Sequence, residues 1–416
     1  MRRSLDRFSP ENPRLVGYID LGIGSRCKTP RPVGCNDHLI GSRRRTQGRN
    51  SHWRLAGPLP ETRRSIAGAR RNLPEKTEHS GHFNNSNYRI NRGPHSPLHG
   101  IPYGLKDIIS VPKFKTTWGS KTFKDQVLDI EAWVYKRLKA AGPVLVAKLV
   151  SVSLAYDDIW YGGRTRNPWN IEEFSTGSSA GPAACTSAAL RPTFGTVGRT
   201  GVISISESLD KLGPFCRSAT DCTIILDAIR GRDPDDPSSR DSPLNDPFLV
   251  DITNLTVGYL DDAEMDVVHV TASMGVNVLP FKLNYTVNSI QGILNFTMDV
   301  DMLAHFDEWQ RSGQDNDYEA QDQWPIELRH ARMIPAAGYV QFPHWFKISS
   351  KVDIGLPCTK STGKLIQEVR ESFTVDAIIG NATDWEKVCM GNLVGMPVIV
   401  VPTGFKKIEN PPSGAS

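Results

Sequence analysis

Residues 129–150 read Asp-Ile-Glu-Ala-Trp-Val-Tyr-Lys-Arg-Leu-Lys-Ala-Ala-Gly-Pro-Val-Leu-Val-Ala-Lys-Leu-Val, and this stretch decides the fold class. Ile130, Trp133, Val134, Leu138 and Ala141 recur at helical spacing, so 129–141 is expected as an amphipathic helix. Gly142-Pro143 ends it, and the apolar run 144–150 is expected as a buried strand. A helix passing directly into a buried strand is the unit from which α/β layers are built. The alternation continues outward. Strands are expected at 202–205, 255–260, 375–379 and 397–401, and helices at 220–229, 298–309, 326–334 and 365–371. The fold class expected is α/β, in one large domain over residues 96–416.

Composition agrees with a globular chain. Of its 416 residues, 39% are hydrophobic and 23% charged, which allows a sizeable core. The longest apolar runs, such as Met396 to Val401, fall far short of the ~18 residues a membrane span needs. The net charge of +4 is unevenly spread. Residues 1–95 hold 17 Arg and 2 Lys against 7 acids, leaving the remainder acidic. That first segment shows neither helical nor strand period, so it is expected as a disordered basic arm. It has no aromatic interleaving and no zinc spacing, so nucleic-acid binding is not expected of it. Acids at Asp6, Glu11 and Asp20 argue against a transit peptide, and no apolar core of a signal follows. Seven scattered cysteines, with no CxxC pair, point to free thiols and to an intracellular, soluble protein rather than a secreted one. No metal site is expected.

Two segments carry chemistry. In Gly100-Ile101-Pro102-Tyr103-Gly104-Leu105-Lys106-Asp107 a lysine sits on an apolar, strand-like run. Burial there penalises the ammonium, and a lysine acting as a base must fall about 3 units below its usual ~10.4. The plain alternative is an ion pair between Lys106 and Asp107 or another acid. In Ser175-Thr176-Gly177-Ser178-Ser179-Ala180-Gly181-Pro182-Ala183-Ala184, small residues let backbone N–H groups converge, and a helix is expected to begin beside them. A Gly/Ser linker or an ordinary helix cap reads equally well from this segment alone.

Taken together and in this order, the two segments resemble the amidase-signature family. Further matches are Thr116-Thr117-Trp118-Gly119-Ser120, Arg166-Asn167-Pro168-Trp169-Asn170, Leu190-Arg191-Pro192-Thr193-Phe194-Gly195, Gly201-Val202-Ile203, Ser208-Leu209-Asp210-Lys211-Leu212-Gly213-Pro214 and Gly391-Asn392-Leu393-Val394-Gly395-Met396-Pro397. The resemblance spans roughly 97–341 and 363–406, and its wording looks most like plant members. It implies an amidase-signature fold, a large mixed β-sheet flanked by helices on both faces. It also implies hydrolysis of a small-molecule carboxamide by a Ser–cis-Ser–Lys triad that needs no cofactor. By the same resemblance Lys106 is the base and Ser178 the bridging serine after a cis peptide at Gly177. Ser179 and Gly181 lie in the anion or oxyanion neighbourhood. An amidotransferase A-subunit uses the same triad, and a homodimer is compatible with the family.

The sequence departs from that pattern at one place. The nucleophile is expected in a glycine-flanked serine motif before Leu190-Arg191-Pro192-Thr193, yet Ser187-Ala188 runs straight into Ala189, and about 25 residues are absent. Ser187, expected near the end of an Ala-rich helix, and Ser204 and Ser206, expected on a strand, lack the flanking glycines of an exposed nucleophile. A further irregularity is the aperiodic run at 342–361. A third is the end of the chain shortly past its last strand. With the unpatterned arm, these features point to a misassembled gene model or a variant transcript, with a product inactive as it stands. A non-catalytic protein that keeps the pocket is the reading from a different class.

Overall fold

Five strands of the computed structural model build most of one mixed sheet: Gly17–Leu21 (β1), Pro102–Lys106 (β2), Val144–Leu149 (β3), Ala188–Arg191 (β4) and Leu212–Cys216 (β5). A second, three-stranded sheet holds Thr256–Tyr259 (β6), Asn277–Pro280 (β7) and Ala377–Ile379 (β8), and Val398–Val400 (β9) returns to the edge of the first. The order across the large sheet is β9-β4-β5-β1-β2-β3. β1, β2 and β3 run parallel, whereas β1–β5, β5–β4 and β4–β9 are antiparallel. In the small sheet β6 pairs in parallel with both neighbours, β7 and β8. The structure describes residues 17–21 and 96–403, apart from 169, 175–176, 287–288, 335–343, 346–356, 359 and 382–383.

Eight helices lie among the described residues: Trp133–Ala141 (α1), Ala180–Cys185 (α2), Ala219–Ile229 (α3), Met265–Ser273 (α4), Ile290–Arg311 (α5), Trp324–Arg332 (α6), Lys360–Ser372 (α7) and Trp385–Leu393 (α8). Two of them, α5 and α3, show how a buried stripe directs packing. In α5 the buried residues Ile290, Leu294, Met298, Met302 and Phe306 recur every four positions, the spacing of one helix face. Its cap is Ser289, whose hydroxyl accepts from the Gly292 N–H. α3 is capped in the same way by Ser218 and lies against β4, β5 and β1. In β2 both Leu105 and Lys106 are fully buried. Successive strand side chains point to opposite faces, so β2 is covered on both sides.

The mixed α/β class matches the sequence reading, while several boundaries differ. α1 begins at Trp133 rather than Asp129, so Ile130 lies before it and is exposed. β3 is an edge strand, not a buried one, and Val144 and Val146 are largely exposed. Residues 202–205 form no strand and make a single bridge, Ile109 to Val202. α5 is 22 residues long because its stripe starts eight residues before Met298. α2 stops at Cys185, where Thr186 turns extended, which leaves Ser187 as an exposed residue before β4. The expected disorder over 1–95 and the aperiodic run 342–361 fall outside the described residues, with three exceptions. These are β1, a short pairing of His344–Trp345 with Pro357–Cys358, and the first turn of α7. β1 matters most, since it sits inside the sheet.

Candidate active site

Lys106 ends β2, and its neighbour Asp107 points the other way. Asp107 pairs with Lys148 of β3 at 3.1 Å and accepts from the Thr117 backbone N–H at 3.1 Å, with the Thr117 hydroxyl alongside. Asp107 is thus engaged by Lys148 and by the turn at Thr117. The fully buried Lys106 donates from Nζ to Ser178 Oγ at 2.8 Å and to Ser179 Oγ at 3.0 Å. Both serines are buried, and the Gly177–Ser178 peptide bond is cis. Four of the residues expected from sequence, Lys106, Gly177, Ser178 and Ser179, thus meet at one point. Gly181 is one turn away, and its N–H is committed to the Val150 carbonyl at 3.2 Å.

Local backbone holds this arrangement. A Cβ on Gly177 would run into the Asp157 carbonyl, and one on Gly181 would stand 2.6 Å from the Val150 carbonyl oxygen. Glycine is required at both, because neighbouring main chain occupies the space. Val152 N–H donates to the Ser178 carbonyl at 3.3 Å. Just beyond, Leu154, Ala155 and Asp157 all adopt positive φ, of 44°, 58° and 64°. Each costs about 1–3 kcal/mol for a residue with a side chain, and such strain persists only where surroundings impose it. Here α6 and the residues before it impose it. Trp324 Nε1 donates to the Leu154 carbonyl at 2.9 Å, the Tyr318 hydroxyl to that of Ser153 at 2.9 Å, and Gln323 Nε2 to Asp157 Oδ2 at 3.1 Å. This strap is not legible in the sequence, since Ser-Leu-Ala-Tyr-Asp carries no turn signal.

The Lys148–Asp107 pair also escapes a sequence reading, although Lys148 carries a signal, a lysine in the apolar run Val-Leu-Val-Ala-Lys-Leu. Burial pulls its ammonium below the usual value while Asp107 raises it. Its Nζ also donates to the Ile109 carbonyl at 2.6 Å and to Thr116 Oγ1 at 3.0 Å. Lys148 thereby ties the turn after β2 to the sheet edge.

The other candidate serines are engaged elsewhere. Ser187 Oγ donates to the Arg217 carbonyl at 3.3 Å, and Ser206 Oγ to Asp301 Oδ2 at 2.5 Å. Ser204 Oγ lies 3.0 Å from His305 Nε2 and 3.0 Å from Glu207 Oε1. Glu207 meets the same imidazole nitrogen, at 3.3 Å. A general base needs its orienting carboxylate on the opposite ring nitrogen, so this trio is a hydrogen-bonded ion pair and not a catalytic one. Among the described residues, no three or more His, Cys, Asp or Glu side chains gather to hold a metal, and no helix is long and apolar enough to cross a membrane.

The Amidase family model matches residues 78–190 and, separately, 189–282. The A-subunit of the glutamyl-tRNA(Gln) amidotransferase of Roseiflexus sp. (strain RS-1) is 37% identical over 197 residues, covering 40% of this chain and 40% of its own. The chain thus spans about 40% of the length of the curated relatives it matches. Among solved structures, the corresponding A-subunit from Thermotoga maritima superimposes with a TM-score of 0.56 at 21% identity, over 74% of this chain and 77% of that one. A peptide amidase from Stenotrophomonas maltophilia gives 0.55 at 21% identity, over 76% and 77%. These structures share the fold. The family match runs through β2 with its lysine, both serines, β3, β4 and β5, and the chain belongs to the amidase family, whose members act on amides.

Proposed function

We propose that the protein from which this chain derives hydrolyses the C–N bond of a small carboxamide, and that the chain as it stands is inactive. The observation that carries the reading is the buried 2.8 Å contact between Lys106 Nζ and Ser178 Oγ. In the proposed relay, neutral Lys106 takes the Ser178 hydroxyl proton as Ser178 takes one from a nucleophilic serine attacking the amide carbonyl. The C–N bond then breaks, the amine leaves with a proton, and water releases the acyl group by the reverse relay. Lys106 serves as base and Ser178 as bridge. Gly177, Ser179 and Gly181 shape the turn that holds them.

The nucleophile belongs to a segment absent between Ala188 and Ala189. Three observations support this. Ser187, Ser204 and Ser206 are all engaged away from Ser178. The family match breaks and restarts at 189–190, where the motif order is interrupted. The Roseiflexus alignment covers 197 positions but takes up 40% of a 416-residue chain, about 166 residues, leaving roughly 30 positions without a counterpart here. Loss of a triad nucleophile costs on the order of 10⁶ in turnover. Sequencing the source transcript between the codons for Gly177 and Pro192 tests the reading. About 25 additional codons with a glycine-flanked serine are expected. An uninterrupted junction would overturn it.

A second reading, glutamine-dependent amide transfer, is favoured by the names of the curated relatives, which are amidotransferase A-subunits. It differs in outcome. Glutaminase activity that rises with co-purified partner chains supports it, whereas hydrolysis of simple amides by the isolated full-length chain supports the first.

A further inference from the structure

The strand beside the lysine strand comes from an unexpected place. β1, residues 17–21, lies between β2 and β5. Ile19 stands opposite Leu105, one residue before Lys106, and Asp20 opposite Gly213. Both neighbours fall inside the family-matched stretch 78–282, and β1 falls outside it. A member of the family that has only the matched sequence must still fill this position, because an empty slot would leave the facing backbone groups of two interior strands without partners.

The break lies within β4, whose Ala188 and Ala189 both pair with β5 on its side away from the slot, so β5 separates the two. α2, the last element before the break, packs on β1 and β2. Ser187, one residue ahead of the junction, donates its N–H to the Cys216 carbonyl of β5 at 3.3 Å. The residues at the break thus touch β5, one wall of the slot, and the helix just before them touches β2, the other. A segment of roughly 30 residues leaving there has ample length, since a five-residue strand spans about 17 Å.

We infer that the slot between β2 and β5 is the seat of the segment that relatives carry between positions 188 and 189, and that Gly17–Leu21 of the basic arm stands in for it. The two are alternative occupants of one position. This inference rests on the reading that a segment is absent. It adds that the segment enters the sheet as a strand parallel to β2 and antiparallel to β5, beside the Lys106 end.

Hydrogen exchange tests it in two chains. In the original chain, amides of 18–21, 103–106 and 212–216 are expected to exchange slowly together. Ile19→Pro removes one ladder donor and should speed exchange in both 103–106 and 212–216 by about tenfold or more, with α5 and α6 unchanged. In a longer chain carrying the Roseiflexus stretch between Ala188 and Ala189, residues 17–21 should lose protection while 103–106 and 212–216 keep theirs. Continued protection of 17–21 in that chain overturns the inference. So does rapid exchange of 17–21 in the original chain when α6 is protected. If the longer chain is insoluble, deleting 17–21 from the original decides, because unchanged protection of β2 and β5 would refute the shared slot. A transcript without the extra stretch would remove the gap reading and leave these exchange results standing, so the two failures are separable.

Discussion

Two lysines on neighbouring strands have different partners, and substitution separates them. Lys148 neutralises Asp107 in a mostly buried pair, so Lys148→Met strands a carboxylate and should cost about 3 kcal/mol in urea melts. Lys106 instead donates to two neutral hydroxyls, those of Ser178 and Ser179. Lys106→Met removes both donations and is expected to abolish amide hydrolysis by the longer chain that carries the absent segment, whereas Lys148→Met, assayed below its melt, is expected to retain it. Undiminished turnover in Lys106→Met of that longer chain would remove Lys106 from the relay.

The surface pair Glu207–His305 gives a pH signature. Its hydrogen bond to His305 holds the Glu207 carboxyl down at about 2, and the same bond from Glu207 raises the imidazole above its usual value. The glutamate's contribution is present above its ordinary value near 4.5 and is lost as pH falls toward 2. The histidine's contribution is complete below its ordinary 6.5 and is lost as pH rises through the raised value. The melting-temperature difference between parent and His305→Gln should thus be largest between about pH 4.5 and 6.5 and shrink on either side. A difference that grows above pH 8 would contradict the assignment. At this scale the site is largely legible in the sequence. Spacing and resemblance single out Lys106, Gly177, Ser178 and Ser179, and the structure brings them together. Lys148 does not stand out, because a lysine in an apolar strand reads the same whether it pairs or catalyses.

Elements are legible where one face is buried and elusive where tertiary contacts decide. α5 and α3 follow from their stripes. The run 144–150 reads as a buried strand because its residues are apolar, but β3 lies at the sheet edge, and strand order is not written in hydrophobicity. The strap Leu154–Asp157 is imposed by α6 and the turn before it, which lie some 165 residues away in sequence. Trp324→Ala should accordingly cost about 3–5 kcal/mol, for it removes a fully buried ring and the donor to the Leu154 carbonyl. It should also quicken exchange at 154–157 more than in α3. Gly181→Ala should cost about 1–3 kcal/mol, because the added methyl meets the Val150 main chain rather than a side chain that can move. Equal stability of parent and variant would show that α2 shifts freely on β3.

For the whole molecule, the α/β class and the family are readable from ordered motifs, and the sheet's completeness is not. The motif order places the proposed gap between 188 and 189 but says nothing of the sheet around it. In the structure the sheet is continuous across β5, β1 and β2, with its middle strand drawn from a segment expected to be disordered. Within a basic, aperiodic arm nothing marks Gly-Tyr-Ile-Asp-Leu as that strand, because five residues of alternating character are too short to stand out.

The central claim, a Lys106–Ser178 relay awaiting its nucleophile, is tested most directly by intact-mass measurement after exposure to a fluorophosphonate, which needs no knowledge of the substrate. The account predicts no adduct on the original chain. It predicts one adduct, on a serine of the inserted stretch, for the longer chain carrying the Roseiflexus segment, lost again with Lys106→Ala. An adduct on Ser178, Ser187, Ser204 or Ser206 of the original chain, or an unlabelled longer chain whose β2 and α6 amides are protected, would contradict it.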